Sequence, residues 1–101
     1  MTKPNTKKNV LVIDTDESMR YMMQTKLFQM GLLVTVAGGG VHALQIFQTG
    51  KIVDLVICEL KMPIKDGLDV VRHLRSNFIQ IPVIMTSNTP DRERVIAVAQ
   101  M

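Results

Sequence analysis

The sequence predicts an α/β fold in which one parallel sheet carries helices on both faces. Three observations predict it. Four short apolar runs, centred on Val10-Leu11-Val12-Ile13, Leu32 to Val36, Leu55-Val56-Ile57 and Val83-Ile84-Met85, are rich in β-branched residues and unbroken by charge, as strands covered on both faces are. Longer segments with apolar residues at helical spacing lie between them. The two kinds of segment alternate four times, βαβαβαβα, and short right-handed crossovers between alternating elements give a parallel sheet.

Asn9 opens the first strand, which ends at Asp14. A helix is expected from Asp16 to Met30, closed by Gly31, which suits a left-handed C-cap. Met19, Met22, Met23, Leu27 and Met30 step along one side of it as a methionine-rich inner face, with Lys26 reaching outward from within the stripe. Tyr21 and Phe28 fall on the opposite side. The strand Leu32 to Val36 turns at Ala37-Gly38-Gly39-Gly40 into a helix over Val41 to Gln48, with Leu44 and Phe47 inward. A third strand covers Asp54 to Cys58, and a polar loop with turn signals at Pro63 and Asp66-Gly67 follows. The third helix runs from Leu68 to Ser76, with Leu68, Val71 and Leu74 apolar. Pro82 introduces the fourth strand, and Thr89-Pro90-Asp91 starts a fourth helix with proline at an early position that needs no N–H.

Length and composition narrow the function. The 101 residues suit one small domain, 47% apolar and 21% charged, the balance of a globular chain. Positions 1–8 form a basic lead containing Lys3, Lys7 and Lys8, and the domain proper spans 9–101. The net charge of +3 is spread among acids, as in Asp91-Arg92-Glu93-Arg94, and forms no basic stripe with aromatics, so nucleic-acid binding is not expected. No apolar run approaches the roughly 20 residues that span a bilayer, and a cytoplasmic protein without membrane partners is expected. A single cysteine, Cys58, excludes an internal disulfide and reads as a buried, reduced thiol. His42 and His73 read as surface residues.

Chemistry in such sheets collects beyond the carboxyl ends of the strands. Asp14, Thr15 and Asp16 stand there after the first strand, Glu59 after the third, and Ser87 and Asn88 after the fourth. Should the first and third strands be neighbours, Asp14 and Glu59 converge. Two carboxylates with a loop carbonyl beside them suit a hard cation such as Mg²⁺. The alternative is that strand ends are polar simply because they meet water.

Three segments carry a resemblance. Val10 to Arg20 resembles the opening of a response-regulator receiver domain of two-component signalling. Asp54 to Gly67, down to Met62-Pro63 and Asp66-Gly67, resembles that family's third strand and loop, and Ile81 to Ser87 resembles its fourth strand. The resemblance implies a flavodoxin-like receiver fold with strand order 2-1-3-4. It implies a signalling module rather than an enzyme, with no catalytic residue, whose partners are a histidine kinase, a phosphotransfer protein or an output protein. By the same resemblance Glu59 takes the phosphoacceptor position and Ser87 the phosphate-switch position. The metal position falls to Asp14, Glu59 and the backbone carbonyl of Lys61. Tyr21 and Phe28 lie on the helix that receivers use for docking.

The match departs from the family pattern. Glu59 stands where the family has its phosphate-accepting aspartate, and Thr15 replaces the second acid of the metal-holding pair. Asp16 is one place too far along and reads as a helix cap. Asn88 is larger than the residue usual there. No position up to Met101 matches the family's fifth-strand lysine, so a domain lacking its fifth βα unit is expected, with the fourth strand as an exposed edge fit for a homodimer or a partner. Two readings follow. One is a pseudo-receiver, not phosphorylated and binding Mg²⁺ weakly. The other is a receiver that accepts a phosphoryl group from a histidine kinase with Mg²⁺.

Overall fold

The structure is a computed structural model, described here for residues 7–77 and 79–87. It runs β1 (Asn9–Ile13), α1 (Glu17–Gln29), β2 (Leu33–Ala37), α2 (Gly40–Gln48), β3 (Leu55–Glu59), α3 (Gly67–Ser76) and β4 (Val83–Thr86). The strands form one sheet in the order β2-β1-β3-β4, all pairs parallel. The fourth helix expected after Thr89 lies outside the described residues.

Alternation along each strand divides the apolar side chains between two faces. Leu11, Ile13, Val56 and Cys58 face α2 and α3, where Ala43, Val70, Leu74 and the half-buried Ile46 and Phe47 complete the larger core. Val10, Val12 and Ile57 face the other way, onto Met23 and Leu27 of α1. Each fully buried aliphatic side chain of this kind is worth about 1.5–3 kcal/mol. At the foot of the sheet, the Asn9 N–H donates to Asp54 Oδ2 at 2.7 Å, and the Asp54 N–H donates to the Asn9 carbonyl at 2.8 Å. This reciprocal clamp holds β1 and β3 in step where they begin.

Several expectations need correction. β2 and β3 each sit one residue later than their apolar runs suggest, so Asp54 precedes its strand and Glu59 is the last residue within it. The methionine stripe is an inner face only at Met23 and Leu27, which are half-buried against the sheet; no residue of α1 is fully buried, and Met19, Met22 and Met30 are exposed. The reason is that α1 packs chiefly on β1 and β2, and no other described helix lies beside it on that face. Ile84 on β4, which points to the same side, is therefore 51% exposed. In α2 the buried residues are Gly40 and Ala43, while Leu44 is only half-buried. The loop after β3 is less polar than it reads, because Leu60 and Met62 turn inward as part of the core. His73 is half-buried rather than on the surface.

The turns follow local rules. Asp16 caps α1, its Oδ1 accepting from the Ser18 N–H at 2.9 Å and the Met19 N–H at 3.3 Å. Asp66 and Asp69 form a reciprocal capping box at the start of α3. Two glycines are required by close approach. A Cβ at Gly40 would collide with the backbone of Lys65, and one at Gly67 would meet the Glu59 carbonyl oxygen at 2.7 Å and Met85 Sδ at 2.8 Å. Between these contacts lies Ile64, with φ at 66°, bridged by a Lys65 N–H to Pro63 carbonyl bond of 2.8 Å. That is a three-residue turn in the left-handed region, a conformation β-branched residues rarely adopt.

Two substitutions check this account of the loop. Ile64 is 87% exposed and contributes little burial, so Ile64→Gly relieves strain and is expected to raise stability by about 1 kcal/mol in denaturant unfolding. Gly67→Ala adds one methyl group against backbone and is expected to lower it by about 1–3 kcal/mol.

Candidate functional site

The register of the sheet assembles the site. Ile13 pairs with Cys58, and Glu59 pairs with Thr86, so the ends of β1, β3 and β4 finish in one row. Asp14, Glu59, Thr86 and Ser87 all line one cleft of about 310 Å³ beyond these ends. Its polar rim passes into an apolar wall made by Val12, Ile57, Met19 and Met23.

Asp14 is the buried member, only 9% exposed. Its Oδ1 accepts from the Asp16 N–H at 2.9 Å, and its backbone carbonyl accepts from Arg20 Nη1 at 2.7 Å. The Asp14 N–H donates to the Ala37 carbonyl at 3.1 Å. Three contacts therefore fix the turn that leads from β1 into α1. Arg20 was not singled out by the sequence; its signal was a position one helical turn beyond Asp16, where a long side chain reaches back over the helix start.

Thr15 projects from that fixed turn. Its Oγ1 donates to Glu59, 2.8 Å from Oε1 and 3.3 Å from Oε2. The pairing of these two residues was not foreseen, although each was singled out as a departure from the family pattern. A longer acid at one strand end and a short hydroxyl at the next is the signal that was available.

Glu59 titrates above the ordinary carboxylate value of 4.5. Partial burial is the largest cause, followed by the hydrogen bond to Asp14, and the Asp14 charge adds to both; the Thr15 hydrogen bond opposes them. Cys58, beneath it, is fully buried, and its Sγ donates to the Glu59 carbonyl at 3.3 Å. Burial, helped by the charges of Glu59, Asp66 and Asp14, pushes the thiol up to about 12. It is a packing residue and not a nucleophile.

Lys61 is exposed, two residues past Glu59. Tyr21 and Phe28 are exposed on α1 and line a shallow groove with Gln24 and Val34, well apart from the acids. Asn88 lies outside the described residues. The acids do not by themselves make a metal centre. Among the described residues no group of three or more His, Cys, Asp and Glu could hold a metal ion. Both Glu59 oxygens lie within reach of the Thr15 hydroxyl, and one Asp14 oxygen is taken by a backbone N–H. Two carboxylates so engaged do not fit a resident divalent cation.

Comparison with known proteins decides the family. The response regulator receiver domain matches residues 10–101. The chain belongs to that family. It is 32% identical over 89 residues to the Regulator of RpoS of Escherichia coli K12, covering 88% of this chain and 26% of that protein. It is 31% identical to Protein PetR of Rhodobacter capsulatus, covering 86% of this chain and 36% of that one. The chain thus spans about a quarter to a third of these curated relatives. Among solved structures, a response regulator receiver protein from Pseudomonas putida superposes with a TM-score of 0.88 at 26% identity, covering 96% of this chain and 81% of that one. Chemotaxis protein CheY4 of Vibrio cholerae gives 0.85 at 25%, covering 94% and 80%. The receiver is thus a module of two-component signalling with the flavodoxin-like fold and the sheet order 2-1-3-4. No described helix is long and apolar enough to cross a membrane.

The site generates two predictions. A carboxyl group whose value is raised on folding supports the fold while protonated, and that support is lost as pH rises through its folded value. Glu59→Gln is therefore expected to be more stable than the parent at neutral pH, with the advantage vanishing below pH 4.5 in urea unfolding across pH. Cys58 is expected to resist a thiol-alkylating reagent at pH 8 in the native receiver and to react fully once the chain is unfolded, as read by intact mass.

Proposed function

We propose that this receiver is not phosphorylated and signals by protein–protein contact. The observation that carries the reading is that both oxygens of Glu59, the residue that the family resemblance assigns to the acceptor position, lie within reach of the Thr15 hydroxyl. An acceptor carboxylate must meet the incoming phosphoryl group in line, and a misplacement of about 1 Å can cost roughly 100-fold in such a step. Glutamate, longer by one methylene and held sideways, is misplaced in this sense. Mg²⁺, which receivers commonly bind at this position, is not a resident ion of this site, because Thr15 supplies no charge and Asp14 and Glu59 are already engaged. Ser87, which the family resemblance assigns to the switch position, lines the same cleft.

The partners are signalling proteins: a histidine kinase, a phosphotransfer protein or an output protein. Two surfaces serve them. One is the α1 face bearing Tyr21 and Phe28. The other is β4, the outer strand of the described sheet, with Ile84 exposed along it, where a partner strand or a second copy adds by edge pairing. The module acts in the cytoplasm, without membrane or nucleic-acid partners.

One observation favours the second reading, in which a histidine kinase phosphorylates this receiver with Mg²⁺. Asp14, Glu59 and Ser87 share a single cleft, as a phosphoryl-accepting site requires. Intact mass after incubation with Mg²⁺ and acetyl phosphate separates the two. The expected result is no phosphoryl adduct, with a phosphorylatable receiver as positive control. An adduct on the unmodified chain would overturn the proposal.

A further inference from the structure

We propose that Thr15 is the positioning residue that sets the state of this site: its hydroxyl does for Glu59 what a bound cation would do, so positions 15 and 59 act as one unit. The inference deepens the reading of an unphosphorylated receiver and rests on it.

Thr15 is a firm anchor because its turn is firm. Asp14 is buried and bonded to the Asp16 N–H, and Arg20 holds the Asp14 carbonyl at 2.7 Å. The hydroxyl that emerges from this turn lies within reach of both oxygens of Glu59, a carboxyl group that faces a second acid. A carboxylate beside a like charge needs an electropositive partner to remain in place. In this chain the partner is a neutral hydroxyl one residue along from the buried acid.

The two side chains are matched in length and charge, so changing one alone leaves a mismatch. Glu59→Asp shortens the acid and withdraws it from the Thr15 hydroxyl while adding no charge for a cation. Thr15→Asp adds charge but leaves the longer Glu59 side chain in place, so the new carboxylate faces another carboxylate without the acid being drawn back. Only the double change both shortens the one side chain and charges the other. Mg²⁺ affinity should therefore respond to the pair and not to the sum of its parts.

The test is Mg²⁺ titration, read by amide chemical shifts, of the parent, Thr15→Asp, Glu59→Asp and the double variant. The double variant is expected to bind Mg²⁺ about tenfold or more beyond the combined effects of the single changes, the scale on which residues supporting a metal site act. Glu59→Asp alone matching the double variant would overturn the proposal. A second measurement needs no metal and only conservative changes. At neutral pH the carboxyl carbon shift of Glu59 is expected to stay at the parental value in Thr15→Ser and to move in Thr15→Val. An unmoved signal in Thr15→Val would also overturn the proposal. Both readouts are independent of phosphoryl transfer. A phosphoryl adduct on the parent would sink the functional reading alone, whereas additive Mg²⁺ binding would sink the coupling of Thr15 to Glu59 alone.

Discussion

The parallel register of β1 against β3 is the constraint on which the rest of the molecule depends. Pairing Ile13 with Cys58 brings Asp14 and Glu59 to the same level on adjacent strands, two acids where one would be easy to solvate. Much of the surrounding structure answers that crowding. Asp14 is tied to its own turn, Glu59 leans to Thr15, and the thiol beneath them stays protonated. Slipping the register by one residue would exchange the two faces of the sheet and bury acids in the apolar core, so the hydrophobic pattern enforces the proximity of the carboxylates.

The two faces of the sheet are not equivalent supports. On one side α2 and α3 close over a continuous core running from Ala43 to Leu74. On the other, α1 is the one described helix that packs on Val10, Val12 and Ile57, and Ile84 stands half in solvent. The cleft opens on this thinner side, where Met19 and Met23 of α1 complete a wall begun by Val12 and Ile57. Long unbranched side chains tolerate such an irregular boundary.

Most of the architecture was legible in the sequence because alternation of short apolar runs with amphipathic segments leaves few other topologies. β1 and β4, the cap at Asp16 and the convergence of Asp14 with Glu59 all follow from it. What failed has physical causes. The ends of β2 and β3 moved by one residue because pairing with β1 and β4 extends each strand past its apolar run, to Ala37 and Glu59. The methionines of α1 read as core because periodicity reports a stripe but not how much sheet lies beneath it. Leu60 and Met62 were lost in a loop that looks polar, since turn residues at Pro63 and Asp66 hide the inward direction of their neighbours. The bond between Thr15 and Glu59 joins two positions far apart in the chain, so its signal emerges only when the two strand ends are compared.

The contact between Gly40 and Lys65 has a mechanical consequence. No atom fits between the first residue of α2 and the backbone of the loop that follows β3, so that loop is already seated against a wall. Inward displacement is blocked sterically, while outward displacement meets only solvent at Pro63, Ile64 and Lys65. Any rearrangement around Glu59 that shifts this segment therefore has a single permitted direction, away from α2. Such a shift would lift the segment off the helix start rather than press upon it.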